Sequence, residues 1–191
     1  MANVLFISES TLKERTYISD NVDIKYLRET ILYCQDVYIQ RLIGTTLYNE
    51  IKTQIQGSTL TAANTTLLND YIQSVLIWRV TAEAAYWSSN KLMNKGVMQQ
   101  SSENSQMADS RTISNLKSDA NDKAEFYEQR MVNYLCENET DYPSYQNPAN
   151  GVEVIQPVRG NIFTSPIHLG DIGLQGKSMR TKYRDDQISL T

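Results

Sequence analysis

Helix breakers are nearly absent from the first three quarters of this chain. All four prolines (Pro143, Pro148, Pro157, Pro166) and five of the eight glycines lie beyond residue 142, leaving Gly44, Gly57 and Gly96 alone before it. Turn-dense sheet folds need far more punctuation than that, so a few long helices are expected. Histidine is scarcer still. His168 is the only one, which removes most histidine-based acid–base and nucleophile schemes. The two cysteines, Cys34 and Cys136, stand too far apart to form a metal pair by spacing, and they read as reduced thiols in or near a core. Excess positive charge is missing too: 18 Lys+Arg against 22 Asp+Glu give −4 and a pI near 5.1, against a reader of nucleic acid with a clustered basic face. The most apolar run, VLIWRVTAEAAYW, is broken by Arg79 and Glu83 and is too short to cross a bilayer. The start MANVLFISES lacks the basic region of a secretory leader. A soluble protein with no membrane partner is the expectation.

What is present is helical periodicity. Ser8 or Ser10 is placed to cap a short helix through Arg15. Asp20-Asn21-Val22-Asp23 then opens a long helix, with acids where the positive end of its dipole favours them. Along it Ile24, Leu27, Ile31, Cys34, Tyr38 and Leu42 form one stripe and Tyr26, Tyr33 and Val37 a second, turned roughly 120° away. A helix apolar over that much of its girth must be covered on two sides, and the cover for the second stripe is either this chain or a neighbouring copy. Gly44 stops the first helix and Thr45-Thr46 starts another, to about Gln56, so two helices meet at a corner.

A third helix is expected from Thr61 or Asn64 to about Asn94, apolar nearly all round and therefore central to a bundle. The segment from Lys95 to Ser110 is polar and without helical period, a long loop. The last helix runs from about Asp109 to Glu137, with Ile113, Leu116, Ala120, Ala124, Tyr127, Met131 and Leu135 inward and Asp119, Asp122, Glu125 and Glu128 outward. Three long helices plus short ones make an elongated all-α bundle over residues 1–139. Residues 140–191 scatter their apolar side chains among Gly, Pro and Asn, too sparsely for a second core. They read as an extended C-terminal arm that docks on neighbours, through Tyr142, Tyr145, Ile162, Phe163 and Ile167.

No pattern carries chemistry. GDIGLQGKS, from Gly170 to Ser178, has Asp171 where a phosphate loop needs its first glycine. The acids of the last helix recur on one outward face, as a solvated surface does. No catalytic residue, cofactor or metal is indicated, and the chain reads as no enzyme. Arg79 and Glu83, four apart on an apolar helix, suit a local ion pair at the rim of a packed surface, or a pair between subunits. A helix-turn-helix regulator is the alternative, with residues 38 to 55 as the motif; its reading helix offers Asn49, Lys52 and Gln54 but also Glu50, a poor complement to phosphate.

The layout from about residue 5 to 138 resembles the head-to-tail connector, or adaptor, proteins of tailed bacteriophages, and most closely those of crAss-like phages of Bacteroides. The resemblance is carried by Phe6-Ile7-Ser8, by Ile18-Ser19-Asp20-Asn21-Val22-Asp23 and by Gln35-Asp36. It continues in Tyr38-Ile39-Gln40, Leu42-Ile43-Gly44-Thr45 and Leu47-Tyr48, and ends in Lys95-Gly96-Val97 and Ser102-Glu103-Asn104-Ser105. It implies a non-catalytic helical bundle repeated in a ring, usually twelve-fold, under the portal at the vertex where capsid meets tail. The partners it implies are further copies of the chain, the portal protein and other adaptor or tail proteins, with passive contact to DNA in the channel. The arm, which shares no resemblance, would reach adjacent rings or the major capsid protein. On this reading the protein is made in the host cytoplasm and resides in the virion. Tyr26, Tyr33, Val37, Arg79 and Glu83 become candidates for the subunit interface, and Lys95, Gly96, Gln99, Glu103 and Asn104 for the portal or channel loop.

Overall fold

The computed structural model describes residues 4–93, 96–99 and 109–159. Over these residues the chain is an elongated all-α bundle of three long helical runs and short helices, with one small hairpin. The first short helix, α1 (Glu9–Arg15), is capped by Ser8, whose hydroxyl accepts from the Thr11 N–H. The first long run comprises α2 (Ile24–Cys34), a π-helical segment (Gln35–Ile39) and α3 (Gln40–Gln56). Asp23 caps its start and Gly57 follows its end, as local signals predict.

The second run comprises α4 (Ala62–Thr66), a π-helical segment (Leu67–Ile72) and α5 (Gln73–Ser89), opened by a Thr61 cap. It ends five residues before the expected Asn94, because the chain turns into a hairpin of β1 (Asn90–Met93) and β2 (Gly96–Gln99), paired antiparallel with Asn90 opposite Gln99. The predicted loop thus begins as a hairpin. The third run, α6 (Ser110–Glu137), follows an Asp109 N-cap and at 28 residues extends about 42 Å.

Helices α2 and α6 both pack on α5, which carries Ser74, Val75, Leu76, Ile77, Val80, Thr81 and Ala82 as a buried girdle. Leu27, Ile31 and Cys34 of α2 and Ala120, Ala124, Met131, Val132 and Leu135 of α6 complete the core. Each such large side chain removed from water contributes about 1.5–3 kcal/mol. Two expected inward positions, Ile24 and Leu116, are corrected to exposed, and Tyr86 of the central helix is exposed as well. Ile24 and Leu116 fall within about two turns of their helix starts, where the facing helix gives no cover.

The corner at Gly44 is a kink within one run. Its backbone is left-handed (φ 79°, ψ 157°), a conformation that strains any residue with a Cβ. A Cβ there would also stand 2.9 Å from Pro157 Cδ. The kink frees backbone groups that residues 155–158 then satisfy: Thr45 N–H donates to the Ile155 carbonyl (3.0 Å) and Val158 N–H to the Leu42 carbonyl (3.2 Å). Ile155 N–H donates in turn to Thr45 Oγ1 at 2.9 Å.

That strap corrects the expected boundary at residue 139. A further helix, α7 (Pro143–Gln146), and the chain to residue 159 fold back on the body. Tyr142 and Tyr145 are buried in this chain's own core, not on a neighbour. The reason is size and polarity together. Each ring fills space at the end of the bundle while its hydroxyl reaches a carbonyl, Ala63 at 2.8 Å for Tyr142 and Val158 at 2.6 Å for Tyr145. The remaining arm candidates, Ile162, Phe163 and Ile167, lie outside the described residues.

Candidate functional site

The charged pair on α5 sits inside the molecule, and its members do not pair with each other. Arg79 Nε donates to Glu128 Oε1 of α6 at 2.6 Å and Nη1 donates to Asn121 Oδ1 at 2.7 Å. Its guanidinium lies 4.6 Å from the centre of the Tyr38 ring, over the face where a cation is attracted. Glu83 accepts from the Tyr38 hydroxyl at 3.3 Å and faces Lys117 Nζ at 3.4 Å. Four residues apart on one helix, Arg79 and Glu83 each find a better partner on α6 than on their own backbone turn. Burial works against the charge of Arg79, but the hydrogen bond and charge of Glu128 offset it, so its pKa lies above the ordinary value. Burial, reinforced by the charge of Glu83, pushes the Cys34 thiol and the Tyr38 hydroxyl each up to about 12.

This arrangement overturns two expectations. Arg79 and Glu83, expected to pair with each other, are each bonded instead to other helical segments of the same chain. Glu128, expected on the solvated face of α6, is buried and faces Arg79. Helical spacing put it with Asp122 and Glu125, which are exposed; the signal that separates it is the matching base on a different helix, which no local window contains.

A second polar cluster fastens α3, α4 and α7. Glu50 accepts from Asn64 Nδ2 at 3.0 Å and from the Ser144 hydroxyl, and Gln54 Oε1 accepts from the same Asn64 amide at 2.8 Å. Gln54 is therefore engaged within the fold, whereas Asn49 is exposed and Lys52 covers the Tyr48 ring at 4.9 Å. At the other end of the bundle the buried Gln35 side chain holds the segment before α1, accepting from Phe6 N–H (2.8 Å) and donating to the Val4 carbonyl (3.0 Å). Among the described residues no buried side-chain donor or acceptor lacks a partner, and no cluster of His, Cys, Asp or Glu is placed to hold a metal. Nor is any described helix long and apolar enough to cross a membrane.

The outer surface is where apolar groups remain uncovered. On α2 and the π-helical segment after it, Tyr26 is 56%, Tyr33 50% and Val37 43% exposed, and Ile24, on the other stripe, is 54% exposed. The second stripe is therefore not covered by the described residues. Tyr33 meets Tyr38 edge-on at 6.4 Å between centroids, which holds its ring upright on the helix. On α6 a shallow cleft of about 410 Å³ is lined by Tyr71, Phe126, Gln129, Arg130, Asn133, Tyr134 and Glu137. Tyr71 and Tyr134 stack at 4.1 Å to form its wall, Arg130 lies 4.9 Å from the Tyr71 centroid, and Phe126 stands 61% exposed at its mouth. This cleft was not singled out from sequence. Phe126, Arg130, Asn133 and Glu137 do recur at helical spacing, but a stripe of mixed chemistry carries no hydrophobic signal until Tyr71 arrives from another helix.

The loop candidates divide. Gly96 and Gln99 belong to β2; Lys95, Glu103 and Asn104 lie outside the described residues.

Residues 39–154 match a family of unknown function, DUF6712, and the chain belongs to that family. No curated protein and no solved structure matches it.

Proposed function

We propose that this member of the DUF6712 family is a structural head-to-tail connector of a phage virion, without enzymatic activity. Copies form a ring, twelve-fold by the resemblance to connector proteins, below the portal, and the ring extends the DNA channel and joins capsid to tail. The observation that carries this reading is the aromatic stripe of Tyr26, Tyr33 and Val37, each 43% or more exposed on a helix whose opposite face is fully buried. A protein with its core already complete has no folding reason to keep such a stripe in water; a face that other copies cover does. The net charge of −4 suits a channel wall along which DNA slides, because phosphate is repelled and not held. Portal, neighbouring adaptor or tail proteins, and the capsid through residues beyond 159 are the partners on this reading.

Electron microscopy of purified virions tests it. The chain is expected at the vertex where the tail joins, as a closed ring beneath the portal. Its presence in infected cells together with its absence from particles would overturn the proposal.

A further inference from the structure

The two uncovered surfaces lie on different helices, and each is turned away from α5. Tyr26, Tyr33 and Val37 sit on the side of α2 opposite Leu27, Ile31 and Cys34. On α6, Phe126 and Arg130 lie opposite Ala124, Met131 and Leu135. One copy cannot press its own two faces together, because the helix both pack on holds them outward. Two copies can.

The surfaces also differ in kind. The α2 face is a ridge formed by Tyr26, Tyr33 and Val37, with the exposed Glu29 beside it. The α6 face is concave, an aromatic cleft with the Arg130 cation at its middle. A ridge of phenol rings fits a cleft walled by stacked rings, through offset or edge-to-face contacts, and Glu29 supplies the charge that Arg130 attracts. At about half exposure the three ridge side chains offer on the order of 250 Å² of largely apolar surface, about a third of the ~800 Å² each partner buries in a stable interface.

We infer that the Tyr26/Tyr33/Val37 ridge of one copy docks in the Tyr71/Phe126/Arg130 cleft of the next, a head-to-tail contact between unlike faces. Such a contact repeats with a constant rotation, which makes a ring where the rotation closes and a filament where it does not, whereas a contact between like faces stops at a two-fold dimer. The choice of a second copy as occupant rests on the connector reading; the polarity of the contact rests on the two faces themselves.

Two full-length variants separate the possibilities, one with the ridge blocked (Tyr26→Asp with Tyr33→Asp) and one with the cleft blocked (Phe126→Asp). Each is checked by circular dichroism for retained helix, with Tyr33→Ser and Phe126→Ser as gentler versions should either fail to fold. Sedimentation velocity over a concentration series is then read for the wild type, each variant alone, and their mixture. The expected result is a wild type that self-associates, two variants that each remain monomeric, and a mixture that forms a one-to-one dimer and nothing larger, since one competent ridge and one competent cleft survive. A charge exchange, Glu29→Arg with Arg130→Glu, is expected to restore most of the association that either change alone weakens. Self-association of the cleft-blocked variant by itself would mean ridge-to-ridge pairing and would overturn the inference, as would a wild type that stays monomeric throughout. Neither outcome touches the location of the chain in virions, so the connector reading and this contact fail separately.

Discussion

The seam between α5 and α6 and the outer face of α2 invert the usual distribution of side chains. The seam buries an arginine and a glutamate, while the outer face leaves two tyrosines and a valine in water. At the seam every charged group has a partner of matched geometry: Arg79 has Glu128, Asn121 and the Tyr38 ring, and Glu83 has Tyr38 and Lys117. A buried ion pair of that kind adds little over a well-packed apolar contact, but breaking it is costly because a charge is stranded. On the outer face the balance is the reverse. Tyr26 and Tyr33 each stand about half in water, so their removal should cost the fold little. Charge in this protein sets how its own helices register.

The largest effect is expected where the seam is broken on one side. Glu128→Ala leaves Arg79 buried with no carboxylate, only Asn121 and the Tyr38 ring, and should lower stability by about 3–5 kcal/mol, read as a drop in the denaturant midpoint at unchanged slope. Glu83→Ala should cost clearly less, because its partner Lys117 is 39% exposed and water replaces the lost carboxylate. Equal losses for the two would erase the distinction between core and rim of this node.

Next in size is Gly44→Ala. A left-handed backbone and the nearby Pro157 ring both oppose a Cβ, so a loss of roughly 1–3 kcal/mol is expected. Thermal unfolding measures it, and an unchanged melting temperature would show that the kink and its strap relax freely.

Alkaline pH sharpens the seam further. The Cys34 thiol and Tyr38 hydroxyl are held up to about 12, from ordinary values of 9.0 and 10.0. Both are neutral when protonated, so above pH 9 the unfolded chain binds fewer protons than the folded one and stability falls as pH rises. Their contribution is complete below pH 9 and is lost progressively towards pH 12. A melting temperature that stays flat between pH 8.5 and 11 would contradict the burial of both groups.

The smallest effect on folding should come from the outer face. Tyr33→Ser is expected to change stability by no more than about 0.5 kcal/mol, as for an ordinary surface position. A loss several times larger would place Tyr33 within the fold and remove it as an assembly residue.

Local chemistry was legible in advance to within a residue or two. Ser8, Asp23 and Thr61 start helices because each side chain accepts from a backbone N–H less than one turn away, and Asp109 and Gly57 stand at helix ends where sequence placed them. The candidate surfaces were only half legible. The tyrosine stripe follows from spacing along α2, but its exposure depends on whether another part of the chain reaches it. The cleft needed Tyr71 from one helix and Phe126 and Arg130 from another. Tyr142 and Tyr145 looked like arm residues because the segment around them is rich in Pro and Asn; burial in the bundle end outweighs that composition.

By itself, the sequence determined three long helical runs, their caps, the break at Gly44 and a buried central helix, since these follow from periodicity and from backbone conformations that neighbouring residues permit or forbid. Tertiary structure alone decided that Arg79 meets Glu128, that residues 140–159 belong to the body, and that the tyrosine ridge faces water. Those outcomes depend on which side chains from distant segments share the same space, and the free energy of a buried charge or an uncovered ring is fixed only when that neighbour is in place.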